Sequence, residues 1–291
     1  MSQFDYSKVK DPEFFRENRL DAHSDHVCFR NEDEAEKGES SFRLSLNGLW
    51  KFAYAPNYES ALKDFEKEDC DCKGWADIRV PAHIQMEGYD RPQYANVQYP
   101  WDGWEEAEPG EIPRRFNPVA SYVKYFEIPE DWKGRPVFIS FQGVESPLAL
   151  WCNGSYVGYS EDTFTPSEFE LTPYLQEGEN KLAAQVFKWS SSSWCEDQDF
   201  FRFSGIFRDV YLYTVPEVHI RDIRVETLLD EGFAKAELVL DIKAVGAGKL
   251  QAVLLKEERH IRFDSALRAN FGQVAERCEA ARILGTLKEE C

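Results

Sequence analysis

The chain has 291 residues, 43% of them hydrophobic and 14% aromatic, with 53 acidic against 34 basic side chains and a net charge of −19. That length encloses a full core without covalent staples, while the charge repels phosphate and so argues against nucleic acid and against an anionic membrane surface as partners. No run reaches the roughly 18 apolar residues of a bilayer span, the opening MSQFDYSKVKDPEFF shows neither a basic nor an apolar leader region, and a cytoplasmic location is expected.

Residues 1–42 read as an arm lying across the surface. Asp11 as N-cap and Pro12 at the first helical position predict a short helix reaching Glu17, and the charged run Asn31–Lys37, which lacks apolar periodicity, reads as a solvated loop. From Arg43 the texture changes to a period of two, first in Leu44–Tyr54 around the Asn47-Gly48 punctuation. It returns at 78–80, 122–128, 136–141, 148–152, 156–159, 168–171, 180–187 and 210–213, with turn chemistry at Lys133-Gly134, Asn153-Gly154 and Gly178. Many short strands and almost no helix predict an all-β fold, a jelly-roll β-sandwich over 43–216.

Two stretches break that rhythm. Residues 81–118 carry six prolines and no period, the mark of a functional loop, and are expected to bring Asn96, Tyr99 and Trp101 together at the mouth of the fold. Residues 189–209 place Glu196, Asp197, Gln198 and Asp199 between aromatics, a glycine turn and Arg208-Asp209, the last read as an ion pair. Such a density of polar side chains points to a bound polar ligand. The aromatics suit stacking on sugar rings, although composition alone favours a sandwich core.

Beyond Pro216, residues 218–227, 234–244 and 249–255 read as the first three strands of an immunoglobulin-like sandwich over 217–255, which in full takes about seven strands. Over 256–291 the apolar residues at 267, 271, 274, 278, 281 and 284 follow a helical series. The expectation is a helical tail on an incomplete sandwich, from a chain that ends abnormally by truncation, frameshift or fusion; a native helical cap is the alternative. Seven cysteines, at 28, 70, 72, 152, 195, 278 and 291, show no paired zinc spacing. Cys70-Asp71-Cys72 is a CxC without a second ligand pair, so reduced thiols are expected.

The segments ENRLDAHSDH (17–26), SLNGLWKF (45–52), VPAHIQMEGYDRPQYANVQYP (80–100), LWCNGSYVGYSEDTFTPSEFELTPYL (150–175), GENKLAAQVFKWS (178–190) and EDQDFFRFSGIFRDVYL (196–212) together resemble the N-terminal part of the family 2 β-galactosidases. The likeness covers about residues 13–255, departs at Asp21 where the family carries proline, and fades over the last 36 residues. The resemblance implies that Asn96 hydrogen-bonds galactose hydroxyls and that Asp199 contacts the galactosyl 6-hydroxyl and ligates sodium. It further implies a retaining hydrolase whose two glutamates and magnesium ligands lie on a barrel absent from this sequence, a homo-oligomer at full length, and inactivity of the 291 residues alone. From spacing alone, Asp199 equally serves an ion pair with Arg202 or Arg208, and Asn96 a turn. His83 and Trp101 read either as sugar-bordering or as packing residues, and Glu196 and Asp197 as supports of the site. Competing readings are a stand-alone carbohydrate-binding module and a β-glucuronidase or β-mannosidase relative.

Overall fold

A computed structural model describes residues 4–108, 110–197, 199–232, 236–248, 250–256, 259–267 and 281–285. The chain divides into two compact units, residues 1–22 with 41–214 and residues 23–40 with 215–291.

In chain order the first unit contributes β1 (Arg16–Glu17), β2 (Arg43–Ser45), β3 (Gly48–Ala55), β4 (Ala76–Val80), β5 (Gln93–Ala95), β6 (Val119–Phe126), β7 (Val137–Phe141) and β8 (Val144–Glu145). It continues with β9 (Leu148–Cys152), β10 (Ser155–Ser160), β11 (Ser167–Glu170), β12 (Asn180–Phe187), β13 (Phe200–Arg202), β14 (Gly205–Ile206) and β15 (Val210–Thr214). Seven strands pair in the order β1-β10-β9-β12-β6-β3-β4 and four in the order β11-β7-β15-β2, with every pairing antiparallel. This is the all-β jelly-roll sandwich, and the period-two runs of the sequence are its strands.

The alternation decides which face each side chain takes. Inward residues such as Trp50, Phe52, Leu150, Leu182, Ile139 and Leu212 form a continuous apolar layer between the two sheets. Its two buried indoles are satisfied by backbone, Trp50 Nε1 donating to Leu46 O at 2.8 Å and Trp132 Nε1 to Ser41 O at 3.0 Å. The other face of the seven-stranded sheet is also covered, by the N-terminal segment and by residues 56–75, over Trp151, Tyr156, Tyr159 and Phe187. The opening of the chain is therefore more than a surface arm. Val9 is fully buried, and the Tyr6 ring stacks on Tyr58 with centroids 4.0 Å apart. The helix expected after Asp11 is replaced by a 3₁₀ turn at Tyr6–Lys10, capped by Asp5, and by the short strand β1 paired with β10. Sheet pairing satisfies the backbone of Arg16 and Glu17 where an isolated six-residue helix is marginal.

The second unit holds β16 (His219–Leu229), β17 (Ala236–Val245), β18 (Leu250–Lys256), β19 (Arg259–Leu267) and β20 (Ala281–Gly285). β16, β17 and β20 form one sheet, and β18 pairs with β19. Here the expected helical tail is corrected: residues 259–267 and 281–285 are strands, and 268–280, where the rest of the helical series falls, lie outside the described residues. The physical reason lies in antiparallel pairing with β18 and β17, which supplies partners that a short helix finds only within itself.

Residues 23–40 belong to this unit through hydrogen bonds to β16, with Ser24 N donating to Asp222 Oδ1 and Ile223 N to Ser24 Oγ, both at 2.9 Å. The charged run read as a loop is a helix, Glu32–Lys37, without a buried residue. Its ends explain it: Asn31 Oδ1 accepts from Glu34 N at 3.0 Å, three acids occupy the positive first turn, and Gly38 closes the helix at φ +69°. Among the described residues no helix is long and apolar enough to cross a membrane.

Candidate sugar-facing site

The loop 81–118 and the stretch 189–209, far apart in sequence, are joined by a small antiparallel ribbon. β5 pairs with β13 in the register Phe200–Ala95, Phe201–Tyr94 and Arg202–Gln93. One step beyond the Phe200–Ala95 pair come Asn96 and Asp199, both exposed, at the same end of the ribbon. Asp199 sits at φ +52°, a left-handed conformation that aspartate tolerates and that turns the chain into β13. The Tyr94 hydroxyl, from the neighbouring position of β5, donates to Asp199 Oδ1 at 2.7 Å. The hydrogen bond to Asp199 pushes the Tyr94 pKa above the ordinary phenol range.

Beneath the ribbon the support is ionic. Lys188, at the end of β12 and fully buried, places Nζ 2.5 Å from Asp90 Oδ2 and 2.6 Å from Gln93 Oε1, which fixes the start of β5. Arg202, closing β13, lies 2.8 Å from Asp197 and 3.4 Å from Glu145, and donates to Lys188 O at 2.8 Å. Glu145 in turn accepts from Phe203 N at 3.3 Å, and Gln85 exchanges hydrogen bonds with the backbone and hydroxyl of Ser204 at 3.0 Å. Burial raises the pKa of Asp197 to about 6 against the opposing charge of Arg202, raises that of Glu145, and lowers that of Lys188. The following Gly205, at φ +115°, has no room for a side chain, since a Cβ there meets Tyr122 Oη at 2.9 Å and Ile84 Cγ2 at 3.0 Å.

The serine run 190–193 is anchored by a buried acid. Glu161 Oε1 accepts from Tyr159 Oη at 2.5 Å and Oε2 from Ser190 Oγ at 3.2 Å, and burial pushes the Glu161 carboxyl up to about 7. Tyr99 Oη donates to Trp194 O at 2.9 Å, closing the proline-rich loop onto the same stretch.

The other predicted residues take different places. Trp101 is buried rather than at the mouth, stacked on Tyr99 at 5.0 Å and edge-on to Trp189 and Trp194. His83 is stacked between Phe203 and Phe207, its Nδ1 3.6 Å from Glu145, and burial lowers its pKa. Asp197 is the buried partner of Arg202, Glu196 lies exposed at the end of the short helix Ser193–Glu196, and Gln198 lies outside the described residues. Arg208 and Asp209 do not pair with each other: Arg208 donates to Phe164 O at 3.2 Å, and Asp209 accepts from Asn47 at 2.9 Å.

The surface around Asn96 and Asp199 is aromatic. Tyr94 and Phe201 pack with centroids 4.8 Å apart, and both are more than half exposed, as are Val97, Trp104 and Phe164. The exposed Tyr94–Phe201 ring pair beside Asn96 and Asp199 is the kind of amphipathic surface a polar ligand can use. One amide, one carboxylate and one phenol can read hydroxyl groups by donating and accepting together. A hard cation takes several oxygen ligands; Asp199 offers one exposed carboxylate, whose Oδ1 already accepts from Tyr94, and among the described residues no cluster of three acids, histidines or cysteines is placed to hold a metal ion.

Residues 43–216 match the family profile described as "Glycosyl hydrolases family 2, sugar binding domain". The Beta-galactosidase of Halalkalibacterium halodurans is 54% identical over 240 residues, covering 81% of this chain and 24% of that one. The Beta-galactosidase of Clostridium acetobutylicum is 52% identical over 240 residues, 82% of this chain and 27% of that one. This chain thus spans about a quarter of the length of these relatives. Among solved structures, the beta-glucuronidase of Bifidobacterium dentium complexed with coumarin-3-O-glucuronide superimposes with a TM-score of 0.61 at 19% identity, over 85% of this chain and 43% of that one. At that identity the likeness concerns the fold alone.

Proposed function

This chain belongs to glycosyl hydrolases family 2, and on that premise we propose that it forms the N-terminal, sugar-facing wall of a β-galactosidase site. The observation that carries the reading is the juxtaposition of Asn96 and Asp199 at the end of the β5–β13 ribbon, with Tyr94 bonded to Asp199. The names of the relatives at 54% and 52% identity direct the substrate class to β-galactosides. In this reading the Asn96 amide donates to one ring hydroxyl and accepts from a neighbour. The Asp199 oxygen not engaged by Tyr94 takes the 6-hydroxyl and a sodium ion, with the remaining cation ligands supplied by another part of the enzyme.

Retaining hydrolysis takes an acid/base and a nucleophilic carboxylate about 5 Å apart. Asp197 is spent on Arg202 and Glu145 is buried beneath the ribbon, so neither faces a ligand. The two catalytic glutamates and the magnesium ligands belong, in this proposal, to a catalytic region separate from these 291 residues, and the complete enzyme is a homo-oligomer acting in the cytoplasm.

The test mixes the purified chain with a separately produced catalytic portion of a family 2 β-galactosidase and follows a chromogenic β-galactoside. Hydrolysis is expected from the mixture and from neither part alone. Turnover by the 291-residue chain unaided, or no activity at any mixing ratio, contradicts the proposal. Calorimetric titration of the isolated chain with galactose and sodium is expected to show no measurable heat, because a single wall leaves most of the ligand in water; tight binding instead identifies a stand-alone carbohydrate module.

A further inference from the structure

The CxC motif has a place in the fold that the sugar-facing ribbon does not use. Residues 56–75 lie over the outer face of the seven-stranded sheet, and within them Cys70 and Cys72 bring their Sγ atoms to 3.9 Å. Cys70 is partly exposed and Cys72 is buried, its backbone N–H donating to Tyr125 Oη at 3.3 Å. Beside them the buried Lys181 donates to three backbone carbonyls, Phe65 O at 2.7 Å, Lys67 O at 2.6 Å and Cys70 O at 2.7 Å. This one side chain ties together residues 65, 67 and 70, just before Cys72, and its positive charge only partly offsets the burial that raises the Cys72 thiol.

We propose that Cys70 and Cys72 form a reversible dithiol–disulfide couple, a redox modification site separate from the sugar-facing ribbon. The two sulfurs must approach from 3.9 Å to the ~2.05 Å of an S–S bond, a movement within reach of side-chain rotation at two positions already on one side of the loop. Exposure sets the order of events. The Cys70 thiolate attacks one sulfur of glutathione disulfide, forming a mixed disulfide and releasing one glutathione thiolate. Cys72 then gives up its proton and attacks Cys70 Sγ, closing the ring and expelling the second glutathione. Two electrons and two protons pass from the pair to two glutathione thiols. Burial holds the Cys72 thiol up at about 11, so Cys72 acts as the resolving sulfur and not as the entry point. Cys152, the other buried thiol of this unit, is held still higher, at about 12, and has Tyr174 O as its neighbour at 4.0 Å.

The sequence supplies a direct readout, because trypsin cleaves after Lys67 and Lys73 and leaves both cysteines in one peptide, EDCDCK. The full chain is equilibrated in glutathione buffers of graded potential, alkylated, digested and weighed. The expected result is a form of this peptide that has lost two hydrogens and takes no alkyl group. Its ratio to the dithiol form should change about tenfold for every ~30 mV, as a two-electron couple requires, and dithiothreitol should reverse it. Cys72→Ser is expected to trap a stable glutathione adduct on Cys70. A wild-type peptide that stays doubly alkylated across the series overturns the proposal, as does one that retains glutathione without closing. A Cys72→Ser chain that takes no adduct removes Cys70 as the entry point and equally overturns it.

Discussion

Two buried regions of the first unit are stabilised in opposite ways. Between the sheets the filling is apolar, with Leu150 beside Ala184 in one sheet and Ile139 beside Leu212 in the other, and each side chain depends on neighbours that a strand period of two delivers. Beneath the β5–β13 ribbon the filling is charged, Lys188 with Asp90 and Arg202 with Asp197 and Glu145, all nearly inaccessible to water. An apolar layer tolerates small shifts, whereas buried ions hold only when every partner is in place. The charged region is therefore the less forgiving, and it carries the two residues assigned to the sugar.

That contrast is open to direct attack, beginning with the largest effect. Arg202→Met leaves two buried carboxylates without their cation and is expected to cost about 3–5 kcal/mol in urea unfolding at neutral pH. The deficit should shrink as the pH falls through about 6, where Asp197 takes up a proton. Leu182→Ala in the apolar layer should cost about 3 kcal/mol, with little dependence on pH; a matching pH profile for both variants would erase the distinction.

The buried acids also make a prediction for the unaltered chain. Glu161 and Asp197, with folded pKa values near about 7 and about 6, bind protons more tightly folded than unfolded. Their contribution to stability therefore increases as the pH falls through those values toward the ordinary carboxylate range. Glu161→Gln should flatten the rise between pH 8 and 5 by up to about 1.4 kcal/mol per pH unit, measured as the difference in urea midpoints between the two proteins. An unchanged slope would place the titration elsewhere. The smallest change is expected from Tyr94→Phe, within about 0.5 kcal/mol for an exposed side chain, despite its bond to Asp199. A larger loss would make that hydroxyl part of the fold instead of the binding face.

The same contrast governs what could be read from the residues alone. Alternation in segments such as Asn180–Phe187 and Val137–Phe141 announces a strand because the neighbours on one face come from the strand itself. Lys188 follows directly on the β12 run and Arg202 lies in the aperiodic stretch 189–209, and their partners Asp90 and Glu145 lie 98 and 57 residues away, a pairing no local pattern encodes. A lysine and an arginine among apolar and aromatic neighbours were the available signal. Trp101 left two readings open for a related reason, since an aromatic in an irregular loop serves packing as readily as a surface, and its burial decides for packing. In the tail, the apolar spacing around Ala281–Gly285 suited a helix, but pairing with β17 decided for a strand.

Kinetics of the reconstituted enzyme test the sugar-facing wall most directly, comparing Asp199→Asn and Glu196→Gln across a sodium series. Loss of a charge-assisted hydrogen bond and a cation ligand predicts a rise in KM of about 10- to 100-fold for Asp199→Asn, with sodium dependence abolished and Glu196→Gln near wild type. An Asp199→Asn enzyme with unchanged KM and unchanged sodium response would contradict the assignment.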